Sequence, residues 1–213
     1  MRKLLLAAAA ILVFFIILFS SLFSYIYNTN YYDRKYQQHG VYDRFTRKTA
    51  LNATGNLFGY FRSENQLDMD FFSEQEASHL SDVKQLIQKS QQLYYISITL
   101  FWIALVAVYL LARKSFMRFF ADMMLYSGIF AAALILIFSL IYLVGGFDFI
   151  FIKFHEIFFT GNYAFNPATS NMKALFPDAF FRDLSLTIVF VTFLKAGLLA
   201  GAGYFLRTRQ LRL

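Results

Sequence analysis

The sequence has 213 residues, of which 58% are hydrophobic and 15% charged; it has no cysteine and a formal net charge of +7. This composition excludes an ordinary water-soluble domain, and the absence of cysteine excludes disulfides and thiolate chemistry. The positive charge is spread over the ends of apolar segments and forms no basic patch, so we predict no nucleic-acid partner.

Four apolar windows are long enough to cross a hydrocarbon core of about 30 Å, which takes about 20 helical residues. They cover residues 4–27, 93–112, 121–144 and 184–206. The first follows Arg2 and Lys3 as a signal peptide would, but it is longer than a usual signal core and lacks a clean cleavage site, so we predict a retained anchor. The sequence predicts an all-α membrane protein with four transmembrane helices, forming a single integral membrane domain over 1–213.

Basic residues indicate the orientation of these helices. The chain ends and the connection after the second window contain one acid, Asp122, and eight basic residues: Arg2, Lys3, Arg113, Lys114, Arg118, Arg207, Arg209 and Arg212. By the positive-inside rule, both termini are cytoplasmic, and residues 28–92 and 145–183 lie outside the bacterial cytoplasmic membrane. We therefore place any chemistry on the outer face.

The first outer region is predicted to be mainly helical. Ser73 and Glu76 form a capping-box pattern, which predicts that a helix begins there. Apolar residues recur at helical spacing up to residue 92, so we expect this helix to continue into the second window and to carry His79. No clear periodicity predicts the structure of residues 28–72.

An acidic pair flanks His79 on this predicted helix. Glu76, His79 and Asp82 are three residues apart and therefore share one helix face. A carboxylate beside a histidine fixes its tautomer and raises its basicity, as a general base requires. The same spacing is also typical of an ordinary solvated helix face.

The second outer region carries another titratable pair, His155 and Glu156. Apolar side chains in residues 147–159 fall on one helical face, which predicts a helix lying in the membrane interface. Turns follow at Gly161-Asn162 and at Asn166-Pro167. Aromatic residues after the pair, Tyr163 and Phe165 among them, predict an interfacial belt, a pattern typical of any membrane boundary.

Lys195 lies near the middle of the fourth window, where an ammonium costs several kcal/mol. We predict that it lines the inner floor of a substrate cavity.

Two histidines plus carboxylates can bind zinc, but their long separation in sequence makes this pattern weak, and we predict neither a metal nor a cofactor.

Two motifs resemble the lipoprotein intramolecular transacylase family of small bacterial membrane proteins. They are His155-Glu156-x-x-Phe159-x-Gly161-x-Tyr163-x-Phe165-x-Pro167 and Ser73-Glu74-x-Glu76-x-x-His79-x-x-Asp82. The four-window layout is similar too, so the likeness covers nearly the whole chain. Tyr163 is one departure, since the family more often has tryptophan there.

The resemblance implies transfer of the sn-2 acyl chain of a diacylglyceryl-modified lipoprotein to the α-amine of its N-terminal cysteine. His155 is then the expected general base and His79 the second imidazole, with Glu156 or Asp82 orienting a ring. Substrate-binding candidates are Tyr163, Phe165, Asn162, Asn171 and Lys195. The expected surroundings are membrane phospholipid, and we expect a monomer.

Two alternatives stay open at the level of sequence. A membrane lipid or lipoprotein ester hydrolase would use the same histidine base and release fatty acid to water. A non-enzymatic membrane assembly or sensor protein would use the outer helix to bind a partner.

Overall fold

All regular secondary structure in the described part of the chain is helical. The computed structural model describes residues 2–159, 161 and 163–210. The helices are α1 (Arg2–Ile26), α2 (Thr29–Gln38), α3 (Arg47–Phe61), α4 (Glu74–Leu111), α5 (Phe116–Phe158), α6 (Asn171–Leu175) and α7 (Asp178–Gln210). The prediction of an all-α protein is confirmed.

Four of these helices, α1, α4, α5 and α7, are long and apolar enough to cross a membrane. The shortest of them, α1, has 25 residues. At 1.5 Å per residue it measures about 38 Å, which exceeds the hydrocarbon core of about 30 Å. Each predicted window overlaps one of these helices, with the first two windows ending one residue beyond α1 and α4, and α4, α5 and α7 begin or end well outside their windows.

Helix α4 begins where the capping-box pattern predicted. Glu76 Oε2 accepts a hydrogen bond from the backbone N–H of Ser73 at 2.8 Å, and Ser73 Oγ accepts one from the N–H of Glu76 at 3.3 Å. These reciprocal bonds satisfy backbone donors that a helix start leaves open. The helix then continues through His79 to Leu111, so the predicted continuous helix is confirmed.

Helix α5 bends at Gly146, where the backbone has φ 76° and ψ 174°. Only glycine adopts this conformation without strain, because any Cβ atom would clash with the local backbone. Residues 116–145 and 147–158 are therefore two helices joined by a bend. The second of them carries His155 and begins directly after the third apolar window.

The chain divides into two compact units, and the first comprises Met1–Leu22, Gln91–Val144 and Thr187–Leu213. Within it, α5 and α7 pack closely, because a Cβ atom on either Gly128 or Gly203 would clash with the backbone of the other helix. Asp122, only 5% exposed, contacts both Arg2 and Arg207. The single acid predicted on the inner side thus joins α1, α5 and α7.

The second unit comprises Phe23–Ser90 and Gly145–Leu186 and has an aromatic core. The ring of Phe180 lies 4.9 Å from that of Tyr32 and 6.0 Å from that of Tyr36, measured between centroids. Such aromatic pairs stabilise a core beyond the area that they bury. Helix α2 therefore packs on the first turn of α7 and supports the segments that carry the histidines.

Candidate active site

Two imidazole rings face each other in the second unit. His79 lies near the beginning of α4, and His155 lies near the end of α5. Their ring centroids are 6.0 Å apart, and the ring planes differ by only 18°. Both residues are buried, with 6% and 8% of their surface exposed. The structure therefore brings together the two histidines that the sequence singled out, although they belong to different helices.

A hydrogen bond determines which nitrogen of His155 can act as a base. Its Nδ1 lies 2.7 Å from the carbonyl oxygen of Phe151, one turn earlier in the same helix. Because a carbonyl oxygen only accepts, we assign the proton to Nδ1, which donates to it. In the neutral ring, Nε2 then holds the lone pair that can take a proton from a substrate.

Burial lowers the pKa of His155 below its usual value, because the imidazolium form loses contact with water. The hydrogen bond to Phe151 opposes this effect, and the nearby ammonium of Lys173 adds to it. Lys173 pairs with Asp178, and its Nζ lies 5.6 Å from the centre of the Phe151 ring. The His155 ring is therefore neutral near neutral pH, which is the form that a general base needs.

Aromatic rings surround the two imidazoles. Phe159 contacts both, with centroid distances of 4.8 Å to His79 and 5.2 Å to His155. Phe165 lies 5.5 Å from His79, and Tyr163 lies 5.0 Å from His155. Two of the predicted substrate-binding residues thus line the same site as the histidines. Such apolar surroundings exclude water and strengthen the polar interactions inside.

The two predicted carboxylate partners have different positions. Glu156 pairs with Lys153 at 2.6 Å, and 45% of its side chain is exposed. A backbone carbonyl, and not this carboxylate, orients the ring of His155. Asp82 lies on α4, beyond His79, and is half-buried. Within the part of the chain that the structure describes, no group of three His, Asp or Glu side chains could hold a metal ion.

The remaining predicted substrate-binding residues are Asn171, Lys195 and Asn162. Asn171 donates its amide N–H to the carbonyl oxygen of Phe71 at 2.8 Å and so ties two segments of the second unit together. Lys195 lies in the first unit, where Nζ donates to Ser20 Oγ at 2.9 Å. Asn162 lies outside the described residues.

Sequence reasoning missed the second set of contacts made by Glu76. Glu76 is buried, with 2% of the residue exposed, and its Oε1 accepts hydrogen bonds from Ser170 Oγ at 2.5 Å and from the N–H of Met172 at 2.8 Å. Desolvation alone would raise the pKa of this carboxyl, but the hydrogen bonds from Ser170, Ser73 and Met172 outweigh it and hold the pKa below its usual value. The capping-box pattern explains only the bond with Ser73, because Ser170 lies 94 residues further along the chain.

A family model decides how the chain is classified. The model of the lipoprotein intramolecular transacylase Lit matches residues 7–181, which is most of the sequence. The chain belongs to this family. As a lipoprotein intramolecular transacylase, it is an acyltransferase and a multi-pass protein of the bacterial cytoplasmic membrane. A search of curated proteins finds no match.

Solved structures of a transacylase share the fold. The lipoprotein intramolecular transacylase Lit from Bacillus cereus, determined in meso, matches with a TM-score of 0.80 at 17% identity, covering 100% of this chain and 99% of that one. A variant of that protein with one histidine replaced by arginine matches at 0.79, and the alanine variant at the same position matches at 0.80, both at 18% identity. They cover 100% of this chain and 94% and 96% of those chains.

Proposed function

We propose that His79 and His155 catalyse the acyl transfer by moving a proton between the two reacting groups of the substrate. That substrate is a bacterial lipoprotein whose N-terminal cysteine carries an S-diacylglyceryl group and, after signal-peptide removal, an unmodified α-amine. The sn-2 acyl chain moves to this amine, which leaves an N-acylated, S-monoacylated lyso-form. The observation that carries the proposal is the buried pair of near-parallel rings, with 6.0 Å between their centroids.

The reaction forms one bond and breaks one. The amine nitrogen attacks the ester carbonyl carbon, a C–N bond forms, and the C–O bond to the glyceryl oxygen breaks. The amine loses a proton and the glyceryl oxygen gains one, so no proton is consumed overall. The Nε2 atom of His155 suits the base in this exchange, because its Nδ1–H is committed to the Phe151 carbonyl.

His79 supplies the second group for proton transfer. A neutral imidazole donates from one nitrogen and accepts at the other, so this ring can hold the ester oxygen or pass the proton to the leaving glyceryl oxygen. Both rings pack against Phe159, which restricts their geometry before substrate binds. Because amine and ester belong to one molecule, proximity supplies much of the rate and no nucleophile from the protein is needed.

The aromatic surroundings favour transfer over hydrolysis. An ester hydrolase would use the same base, but it would require water at the ester carbonyl. Phe159, Tyr163 and Phe165 surround the imidazoles with apolar rings, which keep water away from a reactive intermediate. Aminolysis by the substrate's own amine is therefore the reaction that this site supports best.

The location of the site follows from the distribution of charge. We place the second unit, with both catalytic histidines, on the extracytoplasmic face, because the basic residues concentrate at the opposite ends of the spans. The acyl chains of the substrate then stay among membrane phospholipid.

We further propose that Lys195 lines the inner floor of the substrate cavity, supported by its position near the middle of the α7 span.

Replacement of either histidine tests the proposal. His155→Ala and His79→Ala are expected to lower lyso-form production by about 100-fold or more, the scale of lost acid–base catalysis. His39→Ala is the matched control, because His39 Nε2 lies in the same unit but contacts Asp183 Oδ2 at 3.0 Å. The readout is mass spectrometry of the N-terminal lipoprotein peptide after reaction with the purified protein.

Two outcomes would contradict the proposal. Full activity in either catalytic variant would remove that histidine from the mechanism. Release of free fatty acid by the unmodified protein, without N-acylated peptide, would favour the hydrolase instead.

A further inference from the structure

Glu76 is a buried carboxylate that accepts hydrogen bonds from two separate segments of the second unit. One donor is the N–H of Ser73, which immediately precedes α4. The others are Ser170 Oγ and the N–H of Met172, at the beginning of α6. A helix cap alone requires only the first of these bonds. The bonds from residues 170 and 172 therefore do not serve to cap the helix; they connect α4 to a distant segment of the chain.

These bonds join the chain segments that carry the two histidines. Glu76 lies on α4 one turn before His79, so its side chain and that of His79 project from the same face of the helix. Ser170 ends the segment that follows His155, and this segment brings Phe165 to 5.5 Å from the ring of His79. The carboxylate thus fixes one wall of the site relative to the helix that carries His79.

We propose that Glu76 is a positioning residue for the two imidazoles, a role that rests on the function proposed above. It acts through Phe159, Tyr163 and Phe165, whose rings pack against the imidazoles. When the carboxylate holds the segment that carries these rings against α4, the two imidazoles keep the spacing that proton transfer requires. A displacement of about 1 Å in such a geometry can lower a rate about 100-fold.

The role requires a carboxylate and not merely a polar side chain. Three donors point at its two oxygens, and an ionised carboxylate has acceptor sites on both. A glutamine at position 76 would present an oxygen to one side and an N–H group to the other. That N–H group would face either the Ser73 donor or the pair from Ser170 and Met172, and one link would be lost.

The experiment compares Glu76→Gln with Ser73→Ala in the full-length protein. Ser73→Ala removes the hydroxyl that caps Glu76 N–H and that also contacts the carboxyl group, but it retains the donors that link the carboxylate to residues 170 and 172 and the Ser73 N–H. We expect Glu76→Gln to lower kcat about 10- to 100-fold with KM changed less than about twofold, because the lost element is geometry and not substrate contact. Ser73→Ala is expected to keep kcat within about twofold of the unmodified protein.

Nuclear magnetic resonance of ¹⁵N-histidine-labelled protein gives a readout that does not depend on activity. The chain has 3 histidines, so each imidazole can be assigned by substitution. Glu76→Gln should shift the signals of His79 and His155 and leave that of His39 unchanged, whereas Ser73→Ala should shift none. Because these signals report the protonation, hydrogen bonding and surroundings of each ring without substrate, the measurement separates failure of the positioning role from failure of the catalytic proposal.

Unchanged kcat in Glu76→Gln, an equal loss in Ser73→Ala, or unshifted His79 and His155 signals would each overturn the proposal. If Glu76→Gln does not fold, two variants of Ser170 test the proposal instead. Ser170→Ala removes one donor and should lower kcat at least about threefold, whereas Ser170→Thr retains the hydroxyl and should restore it. Equal kcat in Ser170→Ala and the unmodified protein would equally reject the role of Glu76.

Discussion

His155, which we propose as the general base, has its ring oriented by a backbone carbonyl and not by a carboxylate. The Phe151 carbonyl accepts its Nδ1–H within the same helix, so the tautomer is set by local backbone geometry. A carboxylate at that nitrogen would raise the pKa of the imidazole and favour its charged form. Burial with a neutral partner keeps the ring ready to accept a proton, which suits a reaction that returns the proton before it ends.

When activity is plotted against pH, its fall on the acid side (the acid limb) should depend on the surroundings of His155. The pKa of His155 is lowered by burial, and under the proposed mechanism the neutral ring is the active form, so we expect activity to be lost as the pH falls through a value below about 6.5. Lys173 lowers this pKa and Asp178 raises it. Lys173→Met should therefore move the acid limb to higher pH, and Asp178→Asn should move it to lower pH.

The measurement is the rate of lyso-form production against pH for the three proteins. The amine of the substrate titrates identically in all of them, so only a difference between the proteins reports the imidazole. Identical profiles, or shifts in the same direction for both variants, would contradict the assignment of His155 as the base.

At the scale of secondary structure, the sequence predicted elements whose signals are local. Apolar windows identified the four long helices, and the Ser73 capping box identified where α4 begins. The first outer region was expected to be mainly helical, but the positions of α2 and α3 were not predicted, because their buried aromatic residues belong to one tertiary cluster with residues of α6 and α7 and follow no clear period. For the same reason the contact between Glu76 and Ser170, which is tertiary, had no local pattern to indicate it.

The bend in α5 should be essential for the site. Gly146→Ala places a Cβ at φ 76° and ψ 174°, a conformation that costs about 1–3 kcal/mol for other residues. The helix of residues 147–158 must then shift with His155, so we expect a lower melting temperature and at least about a tenfold lower transfer rate. Thermal unfolding in detergent and the transfer assay measure both effects.

Gly55→Ala provides the matched control for this change. Gly55 lies inside α3, and a Cβ atom there meets nothing within 4 Å. Alanine is a better helix former than glycine, so this variant should be stabilised by up to about 1 kcal/mol with normal activity. Equal behaviour of the two variants would show that the bend at Gly146 has no functional importance.

Over the whole molecule, this chain and the Bacillus cereus transacylase share their fold much more closely than their sequence. The Bacillus cereus transacylase shares this fold at a TM-score of 0.80 with only 17% identity. Lipid-facing positions need only be apolar, and many of them can therefore change without loss of the fold. Few positions carry charge within the spanning helices, and Asp122 and Lys195 are two that do.

Lys195 should affect activity more than stability. Its ammonium lies near the middle of the α7 span and donates to Ser20 Oγ, an arrangement that costs desolvation energy. Lys195→Met removes that cost, so the melting temperature should stay equal or rise, while transfer should fall at least about threefold if the ammonium serves the substrate. Leu194→Met, on the same helix, controls for the change in packing. Unchanged activity in Lys195→Met would limit its role to the contact between α1 and α7.

The hydrogen bonds of Glu76 also have a consequence for biosynthesis. The ribosome makes Glu76 long before Ser170, which follows it by 94 residues. During that interval the carboxylate lacks its donors from residues 170 and 172, and Phe159 and Phe165, which pack against His79, are synthesised only near its end. We therefore expect a nascent chain to be inert toward lipoproteins already present in the membrane and to gain activity only once its second outer region, residues 145–183, has been synthesised and has docked.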